Sequence, residues 1–172
     1  MVNDSGSMKK YWPELLDLFS VMAYMVKEYD KDGIELHFSR SSKHYRGKHT
    51  KPLLQWLRQR EPTGFSDIKP RLSSILNGYQ QKITSQPLFG IKFLSKSVRP
   101  LNLYVFTDGA WEDDENVERP IKQLVEALEK LPVPGDQVGI QFIRFGNNRD
   151  GKRRLQFLDS GLDLPLFVLS AL

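Results

Sequence analysis

The sequence predicts an α/β fold in which helices pack on both faces of a mainly parallel sheet, a three-layer sandwich. Two observations carry this. Segments with apolar residues at helical spacing alternate with short runs of strand formers, in the order helix, strand, helices, strand, helix, strand, helix. The densest runs, Leu101 to Thr107 (LNLYVFT) and Val138 to Phe145 (VGIQFIRF), have too few polar residues for a half-wet sheet and read as strands buried on both sides. The 172 residues suffice for one domain with its own core, and no repeat or linker divides residues 1–172.

The first helix runs from Trp12 to Val26, with apolar residues at 12, 15, 16, 19, 22, 23 and 26. Pro13 falls in its first turn, where a missing N–H costs nothing. Asp30-Lys31-Asp32-Gly33 ends it, and Ile34, Leu36 and Phe38 then alternate with Glu35 and His37 as a half-buried strand. The basic stretch Arg40–Lys51 reads as a loop leading to a short helix with Leu53, Leu54, Trp56 and Leu57, which Glu61-Pro62-Thr63-Gly64 stops. A further helix from Asp67 sets Ile68, Leu72, Ile75, Leu76 and Tyr79 on one stripe, with Pro70 in its first turn and Ser66 as candidate N-cap. Residues 82–100 are mixed and broken by Pro87, Gly90 and Pro100, with a weak strand signal at Ile91–Leu94. Beyond the strand at 101–107, a helix from Val117 to Leu131 carries Ile121, Leu124, Val125 and Leu128 on one face, and Pro132 and Pro134-Gly135 end it. A last helix covers Lys152 to Leu158, and the apolar tail LPLFVLSAL is expected to pack down.

Composition removes several function classes. The absence of cysteine excludes a disulfide scaffold, a Cys-ligated metal and a thiol nucleophile. No apolar run approaches the ~18 residues of a membrane span, and the N-terminus has no apolar signal core. The expectation is an intracellular, cytoplasmic protein with no membrane partner. The net charge of +4 is unevenly spread. Arg40, Lys43, Arg46, Lys48 and Lys51 cluster with two histidines and no acid, and Lys152-Arg153-Arg154 makes a smaller basic cluster. Glu112–Glu115 is a run of four acids that lacks the oxygen spacing and glycine of a calcium loop and reads as a solvated loop. His37, His44 and His49 lie near one another, but His44 and His49 fall in the loop without a paired carboxylate, and the three do not read as zinc ligands.

In parallel α/β folds ligands sit beyond the carboxyl ends of the strands. Three segments are expected there: Asn3-Asp4-Ser5-Gly6-Ser7-Met8, Gly64-Phe65-Ser66-Asp67-Ile68, and Thr107-Asp108-Gly109. Together they present hydroxyls and carboxylates, the oxygen ligands that hard divalent cations such as Mg²⁺ prefer.

These segments resemble the motifs of the von Willebrand factor A-like (vWA) domains. Asn3-Asp4-Ser5-Gly6-Ser7 resembles the Asp-x-Ser-x-Ser that opens the family's metal-ion-dependent adhesion site (MIDAS). Gly64–Ile68 is similar to its Gly-x-Thr-Asp-Ile, Leu103–Gly109 to its strand-end Thr-Asp-Gly, and Val138–Gly146 to its next strand. The resemblance spans essentially the whole chain in the right order. It implies a Rossmann-like sandwich and a Mg²⁺ or Mn²⁺ ion held by Ser5, Ser7, Ser66 and Asp108, with Asn3 as an indirect, water-mediated member. It also implies a protein partner whose carboxylate completes the ion's coordination. Asn3 departs from the family's leading Asp, and Ser66 from its Thr. The second change keeps the hydroxyl; the first removes a negative charge, so weaker metal binding is expected. Moving the frame so that Asp4 leads puts Gly6 where a serine is needed. Only Met1 and Val2 precede the motif, where a strand of roughly five residues is expected, so the central strand reads as truncated or the chain as a fragment of a longer one.

Catalysis finds no support. There is no Gly-x-Ser-x-Gly elbow, phosphate-binding loop, dinucleotide fingerprint or Asp-x-Asp nucleophile pair. The reading is a non-enzymatic protein-interaction module. The alternative is a metal-independent binder of nucleic acid or another acidic surface acting through Lys43, Arg46 and Lys48 in the basic stretch. That stretch contains Tyr45 but shows no aromatic platform of the kind single-strand binders use.

Overall fold

Met1, Val2 and Asn3 run between two sheets and join them. The computed structural model describes residues 1–30, 32–85, 98–111, 116–135, 137–162 and 168–169. Ile91–Leu94, the acidic block Glu112–Glu115 and most of the apolar tail lie outside these residues. The fold is mixed α/β. A 3-10 helix, Gly6–Tyr11, leads into α1 (Trp12–Tyr29), β1 (Ile34–His37), β2 (His44–Gly47), α2 (Thr50–Arg58) and α3 (Lys69–Thr84). There follow β3 (Leu101–Thr107), α4 (Glu118–Leu128), β4 (Val138–Arg144), α5 (Arg149–Ser160) and β5 (Val168–Leu169).

The first sheet is the antiparallel pair β1–β2, in register from Ile34 opposite Gly47 to His37 opposite His44. The second is parallel, in the order β3-β4-β5. Val2 bridges both in parallel sense, to Phe38 beyond β1 and to Phe106 of β3. Its N–H donates to His37 O at 2.8 Å and its carbonyl accepts from Ser39 N at 2.9 Å. On the other side Phe106 N donates to Met1 O at 3.0 Å and Asn3 N to Phe106 O at 2.9 Å. Three residues thus occupy the place between β1 and β3, with Val2 bridged singly to each side.

Alternation along the strands sends side chains to two cores. Leu103 and Val105 of β3 and Ile140 and Phe142 of β4 pack with Leu72, Leu76, Ile121, Leu124 and Leu155 of α3, α4 and α5. Phe106 and Ile143 point the other way, joining Val2, Leu15, Phe19, Leu53 and Leu57 of the N-terminal segment, α1 and α2. Burying one such side chain contributes about 1.5–3 kcal/mol, so both faces of β3 and β4 are energetically committed.

Three expectations need correction. The basic stretch is not all loop, because His44–Gly47 forms β2. Only Tyr45 packs inward there while His44 and Arg46 are exposed, so the apolar alternation was too thin to read; cationic residues also suit a strand at a sheet edge. Ser66 does not cap α3, which starts at Lys69 with Ile68 in the N-cap place and no side-chain cap. The last helix starts earlier than expected because Asn148 Oδ1 caps it, accepting from Asp150 N and Gly151 N at 2.9 Å each. Among the described residues no helix is long and apolar enough to cross a membrane.

Candidate functional site

The parallel pairing of Met1–Asn3 with β3 carries Asn3–Ser7 to the same edge as Thr107–Gly109. The segment before α3 closes over them: Gly6 N donates to Gly64 O at 2.8 Å and Thr63 N to Asp4 O at 3.1 Å. All three predicted segments therefore meet at one edge.

Asn3 ties them together and is fully buried. Its Oδ1 accepts from Ser5 N at 3.1 Å and from Ser39 Oγ at 3.3 Å. Its Nδ2 donates to Ser66 Oγ at 3.0 Å and Thr107 Oγ1 at 3.3 Å. The Ser5 N–H can only donate, which fixes the carbonyl end of the amide on that side and turns the N–H₂ toward the hydroxyls. Asn3 thus presents hydrogens, not its oxygen, to Ser66 and Thr107. Ser5 and Ser7 share a hydrogen bond at 3.0 Å between their hydroxyls, with Ser5 buried and Ser7 exposed.

The two buried aspartates at this edge, Asp4 and Asp108, are in opposite situations. Asp4 is consumed by the protein: Oδ1 accepts from Ser39 Oγ at 2.9 Å and Arg40 N at 3.0 Å, and Oδ2 takes Arg60 Nε at 2.5 Å. A second Arg60 nitrogen reaches the same oxygen, also at 2.5 Å, making a buried, charge-assisted pair. Asp108 is buried too, but accepts only from Ala110 N, at 3.2 Å, and makes no ion pair among the described residues. Exposed Lys10 lies nearby; its amine is held above its usual range chiefly by a hydrogen bond with Tyr11, with the charge of Asp108 a lesser cause.

Backbone contact fixes the Asp108 loop. Gly109 adopts φ +73°, and a Cβ on Gly151 would lie 2.3 Å from Asp108 O, so α5 seats its first turn directly on the loop. Arg154 adds a hydrogen bond to Gly109 O at 3.0 Å. Among the described residues no three His, Asp or Glu side chains group as a ligand set; the oxygens gathered around Asn3 Nδ2 are the hydroxyls of Ser66 and Thr107.

Lys43, Arg46 and Lys48 are exposed on and around β2, and no hydrogen bond or ion pair joins them to this edge among the described residues. Arg40 and Arg60 reach its Asp4 side, Arg40 Nη1 donating to Thr63 O and Thr63 Oγ1, as Arg154 reaches its Gly109 side. Sequence reasoning missed Ser39 and Arg60. Ser39 stands just past the end of β1, where the strand-end rule points; Arg60 carried no signal. The expected lack of an aromatic platform beside the basic stretch is also corrected. Trp56 of α2 stacks on Tyr45 of β2 with ring centroids 5.2 Å apart.

No protein-family model, curated protein or solved structure matches the chain. The reading of the site rests on its geometry and on the motif resemblance.

Proposed function

We propose that this chain is a vWA-like domain, a Rossmann-like three-layer sandwich, acting as a non-enzymatic interaction module that binds an acidic group of a protein partner through a Mg²⁺-type MIDAS site. The observation that carries the reading is the Asn3 clasp, through which one side chain gathers the Ser5 loop, Ser66 and Thr107 at a single sheet edge. The spatial order β2, β1, Met1–Asn3, β3, β4, β5, with helices packed on both faces, supports the fold.

The donor chemistry fits a hard cation. Ser5, Ser7 and Ser66 would offer hydroxyl oxygens and Asp108 a carboxylate, a set suited to Mg²⁺ or Mn²⁺. A bound divalent ion would supply a positive charge able to hold an incoming carboxylate. With Asp4 neutralised by Arg60 and Asn3 uncharged, Asp108 balances only part of that charge, so the partner's carboxylate completes the balance. Metal and partner then strengthen each other by linkage. Phe65, 89% exposed beside Ser66, offers the partner an apolar contact at the rim.

Titrating Mg²⁺ and Mn²⁺ calorimetrically into the chain and into Asn3→Asp tests this. The chain is expected to bind weakly and Asn3→Asp about tenfold more tightly, the effect of one added charge worth ~1.4 kcal/mol. Asp108→Asn is expected to abolish binding. Absence of binding to both the chain and Asn3→Asp overturns the proposal.

A further inference from the structure

A cavity of about 220 Å³ opens between the β1–β2 hairpin and α2, with Phe38, Lys43, Tyr45, Trp56, Gln59 and Arg60 in its walls. Its chemistry differs from that of the oxygen-lined edge. α2 buries Leu53, Leu54 and Leu57 and leaves Trp56 45% exposed, its ring propped against Tyr45 at an interplanar angle of 27°. Residues 36–60 hold seven arginines and lysines and no acid. Lys43 and Lys48 make no ion pair among the described residues, and Arg46 has only a 3.8 Å contact with Glu35.

The walls are built before any ligand arrives. Buried Arg71 of α3 donates to Phe38 O at 3.2 Å and to Lys43 O at 3.3 Å, pinning both ends of the turn that carries Lys43. Arg60, anchored on Asp4, lies over the Phe38 ring at 4.9 Å. A half-exposed indole propped on Tyr45, with the Lys43 ammonium in the same cavity wall, matches a ligand with a flat π face and fixed negative charge at each repeat. Single-stranded nucleic acid has both. A duplex keeps its bases stacked internally, and an anionic polysaccharide or lipid surface presents no planar π face to the rings.

We propose that this groove binds single-stranded nucleic acid, one base stacking on the Tyr45–Trp56 platform while a neighbouring phosphate meets Lys43 in the cavity wall. Gln59 supplies an amide at the cavity wall for a base edge. The site needs no metal and is separate from the Asp108 edge.

Fluorescence anisotropy of the full chain with short labelled RNA and DNA strands of mixed sequence tests this, with a duplex, heparin and phosphatidylserine vesicles as competitors. Single strands are expected to bind more tightly than the duplex and to weaken as salt rises. Trp56→Leu is expected to cost about tenfold in affinity while Trp56→Phe retains most of it. Lys43→Gln is expected to reduce the log–log salt slope by about 0.7. EDTA and Asp108→Asn are expected to change nothing, which separates this site from the Mg²⁺-type one. Failure of single strands to bind at low salt, or equal binding of duplex or heparin that Trp56→Leu leaves intact, overturns the proposal. So does preferential binding to the vesicles.

Discussion

The oxygen-lined edge around Asn3 and the aromatic groove beside Trp56 share the Asp4–Arg60 pair, yet they handle polar groups in opposite ways. At the edge, Asn3 is fully buried and both ends of its amide find partners inside the protein. At the groove, Lys43 and much of Trp56 face water. Buried polar groups are costly unless every one is paired, so a change at the edge is felt first as stability. Solvated groups at the groove cost the fold little and matter when a ligand arrives. The shared pair belongs energetically to the edge.

The largest expected effect is therefore at Asp4. Asp4→Asn keeps the shape and one acceptor for Ser39 and the Arg40 N–H, but turns an amide toward the Arg60 guanidinium. Breaking a buried pair from one side costs about 3–5 kcal/mol. Arg60 is partly exposed and can rehydrate, so the loss is expected at the low end, about 3 kcal/mol, read from urea unfolding. A loss below ~1 kcal/mol would mean that the pair behaves as a surface contact, and the contrast between the two regions would dissolve.

The same contrast explains what the sequence made legible. The Ser5 loop, Ser66 and the Thr107 turn are each compact in sequence, and the helix and strand periods place them at strand ends; their convergence followed from fold class. The orientation of the Asn3 amide did not, because it depends on Ser5 N and Ser39 Oγ, from separate segments, both donating to one oxygen. Nor did the groove. Tyr45 and Trp56 lie in different elements, and β2 has only one inward apolar side chain to announce it as a strand. The helix at α5 was legible in its body, while its start depended on the Asn148 cap. Local periodicity reaches the elements and the motif loops, but not pairings made only when a hairpin closes.

His37 sits between the two regions and sharpens the contrast by pH. Burial pushes its imidazole down to about 4, outweighing a hydrogen bond to Glu35 that acts the other way. Its Nε2 lies 3.2 Å from Glu35 Oε2, while its buried Nδ1 has no hydrogen-bond partner among the described residues. The unfolded chain takes up this proton near the ordinary value of about 6.5, the folded chain only near 4. Stability is therefore full above about 6.5 and is lost as pH falls toward 4, by an expected ~3 kcal/mol. Unfolding free energies of the chain and of His37→Gln, measured between these limits, check this. An unchanged slope in the variant would place the acid sensitivity elsewhere.

The smallest stability effect is expected at Trp56, and its smallness is what matters. An aromatic pair contributes about 0.5–1.5 kcal/mol beyond area burial. Leucine keeps part of the apolar contact with Tyr45, so Trp56→Leu is expected to cost less than ~1 kcal/mol. Leu53, Leu54 and Leu57 already anchor α2 in the core. The same substitution in any of those three positions to alanine would cost about 2–5 kcal/mol, which gives the scale. A Trp56→Leu loss above ~2 kcal/mol would make the indole a structural prop of α2. A small loss leaves an outward tryptophan, held flat by Tyr45 among unpaired cations, with no structural work to account for it, and its energy then has to be sought in a ligand.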